Sequence, residues 1–179
     1  MKREVKILLS VSSVTGNTRR LADYFYEKLK ECTVEMIDVR ELLKKDKVPE
    51  ADIYIIAFWC RKASMDFQSR AFLERLQGKR VFAIGTMGAE TVGHYGNRVR
   101  GNVEALITAN NACLGIQLCQ GANRPERIEF RRNLPPEDPH HIDEETYRKK
   151  MDNQGRPREA DMRNAWACAH DRMWDLLEE

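Results

Sequence analysis

Residues 13–18 read Ser13-Val14-Thr15-Gly16-Asn17-Thr18, which is three hydroxyls, a carboxamide and a glycine with no charge among them. They lie between an apolar run, residues 5–11, and a segment from Gly16 to Lys30. In that segment Leu21, Ala22, Phe25 and Leu29 repeat at helical spacing. A strand that runs into a helix here exposes the first N–H groups of the helix. Those groups lack internal partners and sit at the positive end of the macrodipole. The chemistry this favours is phosphate binding without a cationic side chain. Gly16 lets the backbone approach closely, and Ser13, Thr15 and Thr18 can donate hydroxyl hydrogen bonds. The same residues also suit an ordinary helix cap, and the hexapeptide alone leaves both readings open. It has neither the Gly-Lys-Ser/Thr ending of a nucleotide P-loop nor the G-x-G-x-x-G of a dinucleotide fold.

Two more stretches could meet a planar ligand. Residues 59–66 start with Trp59, a flat apolar surface, and continue through Cys60 to the cations Arg61 and Lys62. Residues 86–96 follow Gly85 and contain Gly88, Gly93 and Gly96, so their backbone can pass close to a ring. His94 and Tyr95 add flat faces there, with His94 read as a pocket-wall or surface residue and not as a base. Other constellations fail on spacing. Five scattered cysteines include no C-x-x-C, and Cys119 to Arg124 is one residue short of a phosphatase C-x5-R loop. Adjacent His140 and His141 do not naturally face one ion, so no metal is expected. No catalytic residue is assigned.

The elements that position these loops follow from the apolar pattern. Strands are expected over 5–11, 34–39, 51–58, 79–84 and 112–119. Helices are expected over 16–30, about 42–46, through Phe72, Leu73 and Leu76 to Gly78, and through Val99, Val103, Leu106 and Ile107. The run 51–58 is apolar on both faces and so wants helices on both sides of a parallel sheet. The alternation predicts an α/β protein with a doubly wound five-stranded parallel sheet, one domain over 1–179. Residues 121–158 break the pattern: Pro125, Pro135, Pro136, Pro139 and Pro157 punctuate a charged stretch that reads as an extended loop, a docking arm or a lid. From Pro157 onward, Met162, Trp166, Ala169, Met173 and Leu177 form the stripe of a closing helix, which also carries Trp174. A net charge of +2 makes no case for nucleic acid. The first apolar run, after Met1-Lys2-Arg3-Glu4, is too short for a leader or a membrane span, so a cytoplasmic protein without a membrane partner is expected.

S-x-T-G-x-T after strand one, an aromatic directly after strand three, a glycine-rich loop after strand four, and five alternating strands closed by a helix resemble the flavodoxin-like family. The resemblance covers about residues 5–120 and the last helix. It implies strand order 2-1-3-4-5 with FMN at the reversal between strands one and three. By that resemblance Ser13, Val14, Thr15, Gly16, Asn17 and Thr18 hold the phosphate. Phe58, Trp59, Cys60 and Arg61, with Thr86, Met87, Gly88, Ala89, His94, Tyr95 and Gly96, flank the ring. The implied role is electron transfer from a partner reductase to an acceptor enzyme. Two features depart from the family. Arg61, Lys62, Arg98 and Arg100 put cations where flavodoxins are acidic, which favours the anionic reduced flavin and a higher potential. Residues 121–158 fall after strand five instead of splitting it. The alternatives are a flavin enzyme that reduces a quinone with NAD(P)H, and a flavin-free interaction domain of the same fold.

Overall fold

A computed structural model describes residues 5–177, with side chains through Met173. The parallel sheet is built from β1 (Lys6–Val11), β2 (Thr33–Asp38), β3 (Ile53–Arg61), β5 (Arg80–Met87) and β6 (Ala112–Gln120). Its order is β2-β1-β3-β5-β6, with a two-residue β4 (Ser64–Met65) paired antiparallel to β3. Residues 53–58 of β3 are at most 1% exposed, as expected of a strand covered on both faces. Neighbours along β1 alternate: Leu8 packs with Tyr54, Ile56 and Phe58, while Ile7 and Leu9 pack with Ile53, Ile55 and Ala57. The first face is covered by α2 (Val39–Lys44), α3 (Phe67–Leu73) and α4 (His94–Thr108). The second is covered by α1 (Asn17–Lys28) and α7 (Glu159–Leu177). Trp166 meets Phe25 edge-on at 5.3 Å between ring centres. The expected contributions of Trp174 and Leu177 to the stripe, and the charges of Met1–Glu4, lie outside the described residues and side chains.

Several boundaries differ from the sequence expectation. The short helix α2 starts earlier than 42 because Asp38 caps it, accepting from the Arg40 N–H at 2.8 Å. Strand β3 does not stop at Phe58; it runs on to Arg61 and folds back as β4 through Lys62 and Ala63, both in the left-handed region. Strand β5 continues to Met87, and α4 already begins at His94, so the glycine-rich loop is only 88–93.

The largest correction concerns residues 121–158, which are not an extended loop. They contain α5 (Pro125–Arg132) and α6 (Glu144–Asp152). Pro125 lies in the first turn of α5, where its missing N–H costs nothing, so the proline starts a helix instead of breaking one. Asp143 caps α6 by accepting from the Thr146 N–H at 2.8 Å. The two helices are tied by the Tyr147 hydroxyl donating to Glu129 at 2.5 Å and by Arg132 lying 4.1 Å over the Tyr147 ring. Among the described residues no helix is long and apolar enough to cross a membrane.

Candidate functional site

The carboxyl ends of β1, β3, β5 and β6 open onto one cleft, on the side where the order reverses between β1 and β3. The β1–α1 turn forms its floor. Gly16 precedes α1 with φ +89°, a conformation that costs other residues strain. Ser13 Oγ accepts from the N–H groups of Gly16 and Arg19, each at 3.2 Å. Among the described residues nothing accepts from the N–H of Thr15, Asn17 or Thr18, so three donors remain for a ligand at the helix mouth.

The Thr18 hydroxyl does not join them. It is 1% exposed, bonds the Thr86 hydroxyl at 2.8 Å and reaches the Phe58 carbonyl at 3.4 Å. Its side chain therefore locks the turn to the ends of β3 and β5, and Thr15 is the exposed threonine of the turn that lines the cleft.

A second lock lies under the turn. Asp66 is buried and accepts from the hydroxyls of Ser12 at 2.9 Å and Ser69 at 2.8 Å. It also accepts from the N–H groups of Gln68 and Ser69, each at 3.1 Å. One carboxylate thus caps α3 and holds the end of β1 beside it. The cap was readable in the sequence as an acidic residue ahead of a helical stretch, but its bond to Ser12 across 54 positions was not.

The fourth strand end supplies a wall that sequence reasoning missed. Asn17 donates to the Ala122 carbonyl at 2.8 Å, and Asn123 donates to the Gly88 carbonyl at 2.9 Å. A Cβ on Gly88 would lie 2.4 Å from the Asn123 side chain, so any larger residue there would displace the amide that bonds the Gly88 carbonyl. Two joined cavities result. The first, about 770 Å³, is lined by Val14, Thr15 and Asn17, by Trp59, Cys60, Thr86, Met87 and Gly88, and by Asn123, Arg124, Glu126, Arg127 and Phe130 on and before α5. The second, about 630 Å³, shares Trp59, Cys60, Met87, Gly88, Asn123 and Arg127. It adds Arg61, Lys62, Ala89 and Tyr95, with Arg131 and Lys150 from α5 and α6.

The remaining candidate residues fall elsewhere. The Phe58 side chain is fully buried in the core. Ser13 and Gly16 shape the turn without lining either cavity, and His94 is an exposed residue at the start of α4, outside both. Gly96 is buried in α4, where a Cβ would meet the Thr91 carbonyl oxygen at 2.0 Å. The residues that sequence did not indicate, Arg124, Arg127, Phe130, Arg131 and Lys150, belong to or cap the two helices hidden behind the prolines.

The electrostatics separate the two cavities. Burial pushes the Cys60 thiol up, and burial also pushes the Tyr95 hydroxyl up, so neither is ionised as a nucleophile at neutral pH. Burial holds the Lys150 ammonium below the usual lysine range, helped by the neighbouring charges of Arg131 and Arg127. Among the described residues no group of three His, Cys, Asp or Glu could hold a metal ion. The cleft offers flat surface, N–H donors and cations, which together suit an anionic planar molecule.

Comparison with known proteins agrees with this architecture. Residues 8–170 match the flavodoxin domain family. The chain belongs to that family. The flavodoxin-like protein BilS of Clostridioides difficile (strain CD3) is 34% identical over 118 residues, which span 65% of this chain and 66% of that protein, just under two thirds of its length. Among solved structures, oxidised flavodoxin 2 from Bacillus cereus has a TM-score of 0.54 at 19% identity, covering 95% of this chain and 99% of that one. Azoreductase AzrA has a TM-score of 0.54 at 11% identity, covering 93% and 99%. The strand order expected from the flavodoxin resemblance is the order this chain has, with β4 as an addition.

Proposed function

We propose that this protein binds FMN in the first cavity and serves as an electron-transfer protein between a reductase and an acceptor. The observation that carries the proposal is the uncharged β1–α1 turn, which brings Thr15 and Asn17, whose N–H groups have no acceptor among the described residues, to a cavity lined by Trp59 and Gly88. These residues fit a phosphorylated planar cofactor: the turn suits the phosphate and the indole suits a ring. When bound, FMN supplies the redox chemistry. The protein's part is to hold the phosphate, to exclude water with Trp59 and Phe130, and to set the charge around the ring with Arg61 and Lys62.

The test is the visible spectrum of the purified protein before and after adding FMN and removing the excess. Retained flavin bands with tight binding are expected. A colourless protein that rejects FMN would refute both redox readings and leave a binding module of the same fold. A second reading, a flavin enzyme that reduces its own small substrate with NAD(P)H, is favoured by one observation: the second cavity leaves room beside the first. Turnover of a quinone with NADPH and no partner protein separates the two readings.

A further inference from the structure

The second cavity concentrates positive charge. Five cations reach it, Arg61, Lys62, Arg127, Arg131 and Lys150, and among the described residues no carboxylate lines it. This is a local excess in a chain whose net charge is only +2. Three acids of α5 and α6 are engaged with other partners: Glu129 accepts from Tyr147, Glu144 pairs with Arg132 and Arg148, and Glu145 pairs with Lys149, while Glu126 lines the first cavity and not the second. Among the described residues no carboxylate lies within ion-pair distance of Arg127 or Lys150. Arg127, Arg131 and Lys150 also enclose a small adjoining space with Asn123 and Ile128. Cations that converge on one concave space repel each other until an anion sits among them. The space is concave and Lys150 is only partly exposed, so it admits a molecule that can enter and not a flat protein face.

We propose that the second cavity is an organic-anion subsite, in which Arg127, Arg131 and Lys150 hold the carboxylate or phosphate groups of a small polyanionic substrate. The proposal rests on the flavin reading only for what such a substrate would meet in the adjoining cavity. Its binding is a property of this chain's own side chains.

The test is calorimetric titration of the whole protein, first without flavin and then with FMN bound. The probes are trimesate, its neutral amide trimesamide, inorganic phosphate and a polyglutamate peptide. Trimesate is expected to bind in both states and trimesamide in neither. Lys150→Glu should weaken trimesate by about tenfold or more, and Lys150→Gln by less, with unchanged circular dichroism. Phosphate binding that is lost in the same variants would sustain the subsite and assign it a phosphorylated ligand.

Equal trimesate affinity in both Lys150 variants and the native protein would overturn the proposal. So would mutual displacement of trimesate and FMN, because the cations would then serve the flavin itself. Polyglutamate binding without trimesate binding would overturn it in favour of a docking face for an acidic protein. Failure of FMN to bind, with Lys150-dependent trimesate binding intact, would remove the flavin reading alone.

Discussion

The two walls of the cleft are built on opposite principles. The β1–α1 wall works through backbone N–H groups and carries no charge in residues 13–18, and two buried side chains, Thr18 and the adjoining Ser12, are turned inward to lock it. Thr18 bonds Thr86, and Ser12 bonds Asp66. The α5–α6 wall works through long charged side chains that project from two short helices tied to each other by Tyr147, Glu129 and Arg132. A backbone wall is positioned by the sheet and is intolerant of change beneath it. A side-chain wall can exchange its residues one by one without disturbing the fold. The difference teaches where stability and ligand preference are kept: stability under the first wall, preference on the second.

The backbone wall is most vulnerable at Asp66. Asp66→Ala would leave the hydroxyls of Ser12 and Ser69 and two N–H groups in buried surroundings without their acceptor. The expected loss is about 3 kcal/mol in urea unfolding, well above what any single substitution on α6 should cost. A loss below about 1 kcal/mol would show that the turn is not locked from beneath.

The two threonines of the turn sharpen the same contrast at the next scale. Thr18→Val removes the partner of the buried Thr86 hydroxyl and should cost about 1–2 kcal/mol of stability. Thr15→Ala should leave the melting temperature unchanged and weaken FMN binding by about tenfold, since Thr15 is exposed and lines the cavity. Equal effects of the two substitutions on FMN affinity would contradict the inward placement of Thr18.

The same contrast explains what the sequence made legible. Strands apolar on both faces and a helix begun by Gly16 are local patterns, so the parallel sheet and the turn could be read from residues 5–120, and the strand order followed from the flavodoxin resemblance. The inward turn of Thr18 depends on Thr86, which is 68 positions away, and no local pattern encodes it. The second wall was hidden for another reason. Helices α5 and α6 expose most of their surface and bury little apart from Ile128, so they lack the apolar stripe by which α1 and α4 are recognised. Prolines that start or separate these helices read locally as loop signals. Arg127 and Lys150, from different helices, meet only because the two helices pair.

The smallest effect belongs to the exposed cations at the β3–β4 turn. Arg61 lies 5.5 Å from the Phe67 ring, and it and Lys62 are both exposed residues that line the second cavity. If FMN occupies the first cavity as proposed, these charges stabilise the reduced, more negative flavin through space. Replacing both with Gln should therefore lower the two-electron midpoint potential, by roughly 10–30 mV at low salt. Both side chains meet solvent, so the Debye length of about 10 Å at 0.1 M salt screens them, and the difference should shrink as salt rises. The Lys150→Gln variant, whose charge is partly buried, should show a shift that persists at salt concentrations where the Arg61 and Lys62 shift has faded. A spectroelectrochemical titration of both variants at two ionic strengths reads this directly. Identical salt dependence in the two would mean that the cationic wall is solvated throughout, and that the division into a fixed wall and an adjustable one does not extend to its electrostatics.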